Sequence, residues 1–475
     1  MNLIKKKQKY RLKFHLMPPK GWMNDPNGLC FYKGLYHVFF QYAPSGPCAY
    51  ERYWGHYTSS DMLNWKYEGI AVKSDCPWDA NGAFSGCGFT DDGVMELFYT
   101  GNVEEEGEYD YIHAGRGSNV IYLQSEDGFC FGDKKLLLTN KDYPSDYTCH
   151  VRDPKVWKEG DFYHMVLGGR KNSDRGAILH YLSRNKIEWV LKEEISSTDD
   201  FGFMWECPDV FELDGKTVLM CCPQGVKRGE YQFQNPHQAG YWMLPKDTAL
   251  VRDLTQDKIR EINLEAASFV ELDKGFDFYA PQTFMVPDGR RILYGWGGVS
   301  EMDREYNNAP IIEEGWQHSL TVPRELHIEK GLLKQWPVKE LEALRYDEEV
   351  LENGTVKLST DAFDLEASVT GEAVSIQLGE DVLLDWNEGI FTLRFLNESG
   401  CGRKIRKAEI EKPHHLRVLK DVSMLEIYIN GGEYVFTTRY FPEDTAYTRL
   451  TLQGCGKTTL WKMKAMEVDL SNGEQ

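Results

Sequence analysis

Apolar residues along most of this chain come in short β-type runs separated by turn-forming residues, and sustained helical periodicity is hard to find. The runs recur behind a turn-like motif in five units. Asp25-Pro-Asn-Gly precedes Leu35–Gln41, Phe84-Ser-Gly precedes Met95–Tyr99, and Arg152-Asp-Pro precedes Phe162–Leu167. Glu206-Cys-Pro-Asp then precedes Thr217–Cys222, and Tyr279-Ala-Pro-Gln precedes Arg291–Trp296. A third element follows in the early units. Trp54–Trp65 and Ile178–Trp189 share a β run, a polar turn and a Trp, and Ile121–Phe129 is a weaker copy.

Counted from Asp25, Ser85, Asp153, Glu206 and Pro281, the units are 60, 68, 53 and 75 residues apart. That exceeds the ~40–50 residues of common propeller blades and calls for inserted loops. The pattern predicts an all-β protein whose first part, 1–335, is a five-bladed β-propeller. Each motif then lies on or near an innermost strand, where residues distant in sequence converge. Residues 336–352 read as a linker, with charged Lys339–Glu349 as a short helix. From 353 to 475 short alternating strands (Thr355–Ser359, Phe391–Phe395, Leu425–Ile429, Tyr434–Thr438) and the hairpin turn Asn430-Gly-Gly predict a β-sandwich.

At 475 residues the chain is too long for one ordinary domain, which agrees with this division. Its net charge of −20 repels nucleic acid and anionic membrane surfaces. The start runs the other way, with Lys5, Lys6, Lys7, Lys9, Arg11, Lys13 and Lys20, but no apolar core follows as a secretory signal requires. No apolar run has the length of a membrane span. The 11 cysteines are odd in number and scattered without a C-x-x-C pair, which reads as packed thiols in a reducing compartment. A cytoplasmic location is expected. Oligomeric state is not legible.

Three of the motifs carry an acid: Asp25, Asp153 and Glu206. A lone Asp-Pro is usually a turn. Three acids read as in phase on converging strands are harder to dismiss, and such a cluster raises the pKa of at least one member. Glycoside hydrolysis needs two carboxyl groups flanking the scissile bond, and a third can hold sugar hydroxyls. No histidine cluster has zinc spacing, and no phosphate-binding or dinucleotide glycine pattern is present. Ser85 lacks the nucleophile-elbow context and reads as a hydroxyl ligand or a turn residue. The expected partner is a small sugar, with no cofactor and no metal.

At these residues the chain resembles glycoside hydrolase family 32, the invertase, fructanase and sucrose-6-phosphate hydrolase family. The resemblance covers essentially the whole chain. It is carried by Trp22-Met-Asn-Asp-Pro-Asn-Gly28, Arg152-Asp-Pro154, Glu206-Cys207, Phe276-Asp-Phe-Tyr-Ala-Pro-Gln282 and the C-terminal run Asn430–Pro442. It implies a retaining enzyme with Asp25 as nucleophile, Glu206 as acid and then base, and Asp153 holding ring hydroxyls. Trp22, Met23, Asn24, Gln41, Trp54, Phe84, Ser85, Arg152, Tyr279 and Trp296 match the family's pocket positions. Within the family the chain is most similar to the cytoplasmic sucrose-6-phosphate hydrolases, through Phe201–Glu206, Pro223-Gln-Gly225 and Tyr231–Tyr241. Ala43–Trp54 departs from the usual pattern, and Arg52 stands where relatives tend to have Lys. Arg52, Lys227 and Arg228 are the candidate phosphate ligands. Hydrolysis of free sucrose and short fructo-oligosaccharides is the alternative, with a non-catalytic sugar-binding propeller behind it.

Overall fold

The computed structural model describes residues 8–244, 250–255, 258–299, 309–445 and 447–474. The basic residues Lys5, Lys6 and Lys7 lie outside them. Strands dominate, as the periodicity predicts. Five sheets, mainly antiparallel, form from the part of the chain up to Pro337. Their first strands are Gly21–Tyr32, Gly82–Asp91, Tyr147–Glu159, Met204–Leu213 and Tyr279–Met285. Each of these strands contacts the next, and the last contacts the first. Three short strands add in parallel: Trp316–Gln317 to Gly21–Tyr32, Arg260–Leu264 to Val190–Ser197, and Glu467–Asp469, from the far end of the chain, to Asn64–Val72.

The repeat seen in the sequence has a common local cause. In Ser59-x-Asp61, Ser125-x-Asp127 and Ser183-x-Asn185 the serine hydroxyl accepts the backbone N–H three residues on, at 2.8, 2.9 and 2.9 Å. The Asx side chain accepts the N–H two residues on, at 2.9, 2.8 and 3.0 Å. These side chains replace the ladder at the turn. Trp65 and Trp189 then donate to the carbonyls of Met62 and Lys186, both at 2.9 Å, which folds the indole over the turn.

Two further six-stranded antiparallel sheets follow. All four predicted runs are strands there, and Asn430-Gly-Gly joins Met424–Ile429 to Tyr434–Arg439 with φ values of 55°, 71° and 84°. The segment read as a linker divides differently. Lys339–Leu344 is a short 3₁₀ helix, but Arg345–Leu351 is an edge strand paired with Cys455–Met463. Its charged residues are what an exposed edge strand carries, and they disguise it as linker.

One apolar core runs from the fourth and fifth sheets (Phe211, Val218, Leu326, Leu333) into the later sheets (Phe363, Leu365, Phe436). Beside it lies a buried ionic cluster. Arg324 donates to Glu426 at 3.1 and 2.7 Å, and His15 bridges Asp421 at 2.7 Å and Glu426 at 3.0 Å. Burial opposes a charge on His15, but the two carboxylates outweigh it and push its pKa up to about 9.

Candidate active site

Each of the five first strands bulges where it carries its motif. Two residues there face one on the neighbouring strand: Asn24 and Asp25 against Gln41, Phe84 and Ser85 against Thr100, Asp153 and Pro154 against Leu167. Cys207 and Pro208 face Cys221, and Ala280 and Pro281 face Gly295. A bulge bends the strand and re-aims its side chains. In the last three bulges the first residue has positive φ (Asp153 64°, Cys207 48°, Ala280 47°) and the second is proline, which has no ladder donor to lose. Such backbone is costly for residues other than glycine, and it recurs at the same bulge position in three of the five first strands.

This frame corrects the reading of the acids as in phase. Asp25 is the second bulge residue, Asp153 the first, and Glu206 the residue before the bulge, equivalent to Arg152 and Tyr279. The stagger gives three carboxyl groups different heights and different partners.

Asp25 accepts from Ser85 Oγ at 2.6 Å and from Asn24 Nδ2 at 3.0 Å, and Trp22 Nε1 orients Asn24 at 2.8 Å. Burial raises its pKa against those two hydrogen bonds, with help from the charge of Glu206. Asp153 accepts the Cys207 N–H at 2.9 Å and donates its own N–H to Thr100 Oγ1 at 2.8 Å. Burial, offset by Arg152 and reinforced by Glu206, pushes its pKa up to about 7. Glu206 is held hardest. Arg152 donates to Oε1 at 3.1 and 2.6 Å, and Gln224 Nε2 and the Tyr279 hydroxyl donate to Oε2 at 2.5 and 2.6 Å. These contacts, Arg152 foremost, outweigh burial and keep its pKa below the ordinary value. The two shifts run in opposite directions: burial favours the neutral form of Asp153, and Arg152 with its companion donors favours the anion of Glu206.

Asn24, Asp25, Gln41, Arg52, Phe84, Ser85, Arg152, Asp153 and Glu206 line one cavity of about 160 Å³, together with Arg116 and His150. Gln41 reaches it while donating to the Ala83 carbonyl at 2.8 Å. Met23 and Trp54 are instead fully buried behind the wall, and Trp54 Nε1 fixes the Phe84 carbonyl at 3.0 Å. Trp22, Tyr279 and Trp296 pack together outside the cavity lining, with Trp296 at 6.2 Å from Trp22 and 6.3 Å from Tyr279 between ring centres. Lys227 and Arg228 are exposed and do not line this cavity. The sequence reading missed Arg116 and His150, which no motif marks. It noted Gln224 only within Pro223-Gln-Gly225, although a polar residue one strand from Glu206 was a usable signal.

Residues 15–337 match the family model described as "Glycosyl hydrolases family 32 N-terminal domain", and 385–467 match "Glycosyl hydrolases family 32 C terminal". The chain is 36% identical over 450 residues to a sucrose-6-phosphate hydrolase of Bacillus subtilis, covering 91% of this chain and 89% of that protein. It is 35% identical over 453 residues to a raffinose invertase of Escherichia coli, covering 90% and 89%. Among solved structures, a sucrose-6-phosphate hydrolase from Lactobacillus gasseri superposes with a TM-score of 0.84 at 26% identity, covering 97% of this chain and 95% of that one. A Bombyx mori family 32 β-fructofuranosidase variant in complex with sucrose gives 0.80 at 27% identity, with the same coverage.

Proposed function

The chain belongs to glycosyl hydrolase family 32, and on that premise we propose that it is a retaining β-fructofuranosidase that releases fructose from sucrose 6-phosphate and from sucrose. The observation that carries this reading is the convergence of Asp25, Asp153 and Glu206 on one small cavity from three separate sheets. In this scheme a carboxylate oxygen of Asp25 forms a bond to the anomeric carbon as the carbon–oxygen bond to the glucosyl group breaks. Glu206 gives its proton to the departing oxygen. Water then attacks the same carbon, Glu206 takes its proton, and Asp25 leaves as carboxylate. Asp153 accepts hydrogen bonds from ring hydroxyls and stabilises the positive charge that develops on the ring. Asn24, Gln41, Phe84 and Ser85 hold the fructosyl unit, with Trp22, Tyr279 and Trp296 as its flank, and Arg152 holds the Glu206 carboxylate.

The resting charges give substrate binding a task. Glu206 must be protonated to act, yet Arg152, Gln224 and Tyr279 favour its anion. A sugar that draws those donors onto its own hydroxyls weakens that preference and so favours the protonated acid when the site is filled. The same reading takes the five sheets as blades of a β-propeller, supported by the cyclic order of first-strand contacts, and the two later sheets as a β-sandwich. A cytoplasmic address fits the eleven free cysteines. Among the described residues no helix is long and apolar enough to cross a membrane.

The test is kcat/KM for fructose release from sucrose 6-phosphate and from sucrose. The proposal expects both to turn over and the phosphorylated sugar to be preferred. Equal values would move the assignment to a general fructosidase, and turnover of neither would remove it.

A further inference from the structure

Three guanidinium groups line the cavity, those of Arg52, Arg116 and Arg152, and only Arg152 has a task in the scheme above. Arg152 lies on the Glu206 carboxylate. Arg116 opens the strand Arg116–Ser125 and closes the loop that follows Val94–Glu104. Its Nε donates to the Tyr111 carbonyl at 3.1 Å, Nη1 to Asn102 at 2.9 Å and Nη2 to Glu104 at 3.0 Å. A guanidinium has five N–H groups. Among the described residues one on each terminal nitrogen of Arg116 is left for a ligand, at a side chain that lines the cavity. His150 ties Arg116 and Arg152 together. Its Nδ1 accepts from Arg152 Nη1 at 2.5 Å, and its ring is also bound to the Tyr111 backbone. Burial and the charges of Arg152, Arg116 and Arg170 hold His150 neutral, with its pKa down at about 2. Arg116 is itself penalised by burial and then by Arg152. Clustered like charges in a half-buried wall are costly, and an anion in the cavity would relieve the cost.

The side of the cavity decides which anion. Glu206 protonates the leaving group, so the groups around it face the glucosyl half of the substrate. The main charged neighbours of Arg116 are Arg152 and Glu104. Those of Arg52 are Asp25 and Glu51, and Arg52 stacks over Trp22 at 5.9 Å, which turns it towards the nucleophile. We infer that Arg116 is the specificity-determining ligand for the phosphate on the glucosyl half, with His150 and the Tyr111 carbonyl as its positioning groups. Arg52 is thereby displaced from that role. The inference rests on the reading in which phosphorylated sucrose is the preferred substrate.

The test is the ratio of kcat/KM for sucrose 6-phosphate to that for sucrose, in wild type, Arg116→Met and Arg52→Met. A charge-assisted hydrogen bond to phosphate contributes roughly 10- to 150-fold in affinity. The ratio is expected to fall by at least about tenfold in Arg116→Met and to change by less than about threefold in Arg52→Met. Should Arg116→Met not fold, Arg116→Lys carries the test through loss of the fork geometry, with a fall in the same ratio expected. A wild-type ratio well above one that Arg116 variants leave intact overturns this inference alone. A wild-type ratio near one overturns the phosphorylated substrate, and the inference with it.

Discussion

Asp153→Asn separates what the site does for catalysis from what it costs the fold. Asn can take the left-handed backbone at this position and can still accept the Cys207 N–H, so local geometry is kept. What disappears is a buried charge. The carboxyl is raised from its ordinary 3.8 to about 7, so the native state holds its proton more tightly than the unfolded chain does. The resulting stability is complete below the unfolded pKa and is lost as pH rises towards the folded one. At 1.36 kcal/mol per unit, the loss is about 4 kcal/mol by pH 8 and less than half of that at pH 5. The difference between the two pH values is then at least about 2 kcal/mol. Unfolding entropy near ~2.1 cal/mol/K per residue converts this to about 2 °C for a chain of this length. Scanning calorimetry at pH 5 and pH 8 checks it. The variant should be nearly inactive, should melt above wild type at pH 8, and should have a smaller margin at pH 5. A variant less stable than wild type at pH 8, or a margin independent of pH, would refute the reasoning.

The remaining perturbations address individual roles. Asp25→Asn should abolish turnover while leaving binding of the product fructose measurable by calorimetry; substantial residual activity would remove the nucleophile assignment. Glu206→Ala should slow turnover by about 10²–10⁴-fold, and azide should partly restore it on a substrate with an activated leaving group. No rescue at any azide concentration would argue against the acid and base role. His15→Gln should destabilise the protein by a few kcal/mol at pH 6 and by much less at pH 10, because the raised pKa of His15 gives stability that is complete below ~6.5 and lost towards the folded value. Equal losses at both pH values, followed by chemical denaturation, would mean that its ion pairs with Asp421 and Glu426 contribute little.

The strands and the repeated turn were legible because they follow from local chemistry. Ser59-x-Asp61 and Ser183-x-Asn185 make their own hydrogen bonds wherever the chain goes, and a following Trp shows in the letters. The acids were legible as motifs, but their stagger was not. It depends on where five bulges fall in the pairing register, and register is set by the neighbouring strand rather than by the motif. Arg345–Leu351 was hidden because an edge strand and a charged linker have the same composition. Arg116 and His150 were hidden for a third reason. Their place at the cavity comes from a loop held by the Tyr111 carbonyl and by the Cys149 N–H bond to the Ile112 carbonyl at 2.7 Å, and no periodicity encodes that. Met23 and Trp54 differ again: the resemblance assigns them to the pocket, whereas both are fully buried and neither lines the cavity.

The central claim is a double displacement through Asp25, and trapping its intermediate with methanol tests it most directly. Free fructose mutarotates, whereas a methyl fructoside keeps the configuration with which it was formed. With sucrose 6-phosphate or sucrose in aqueous methanol, two successive inversions must deliver methyl β-fructofuranoside, identified by its anomeric carbon resonance in NMR. Methyl α-fructofuranoside as the product would mean direct displacement, and Asp25 could not then be the nucleophile.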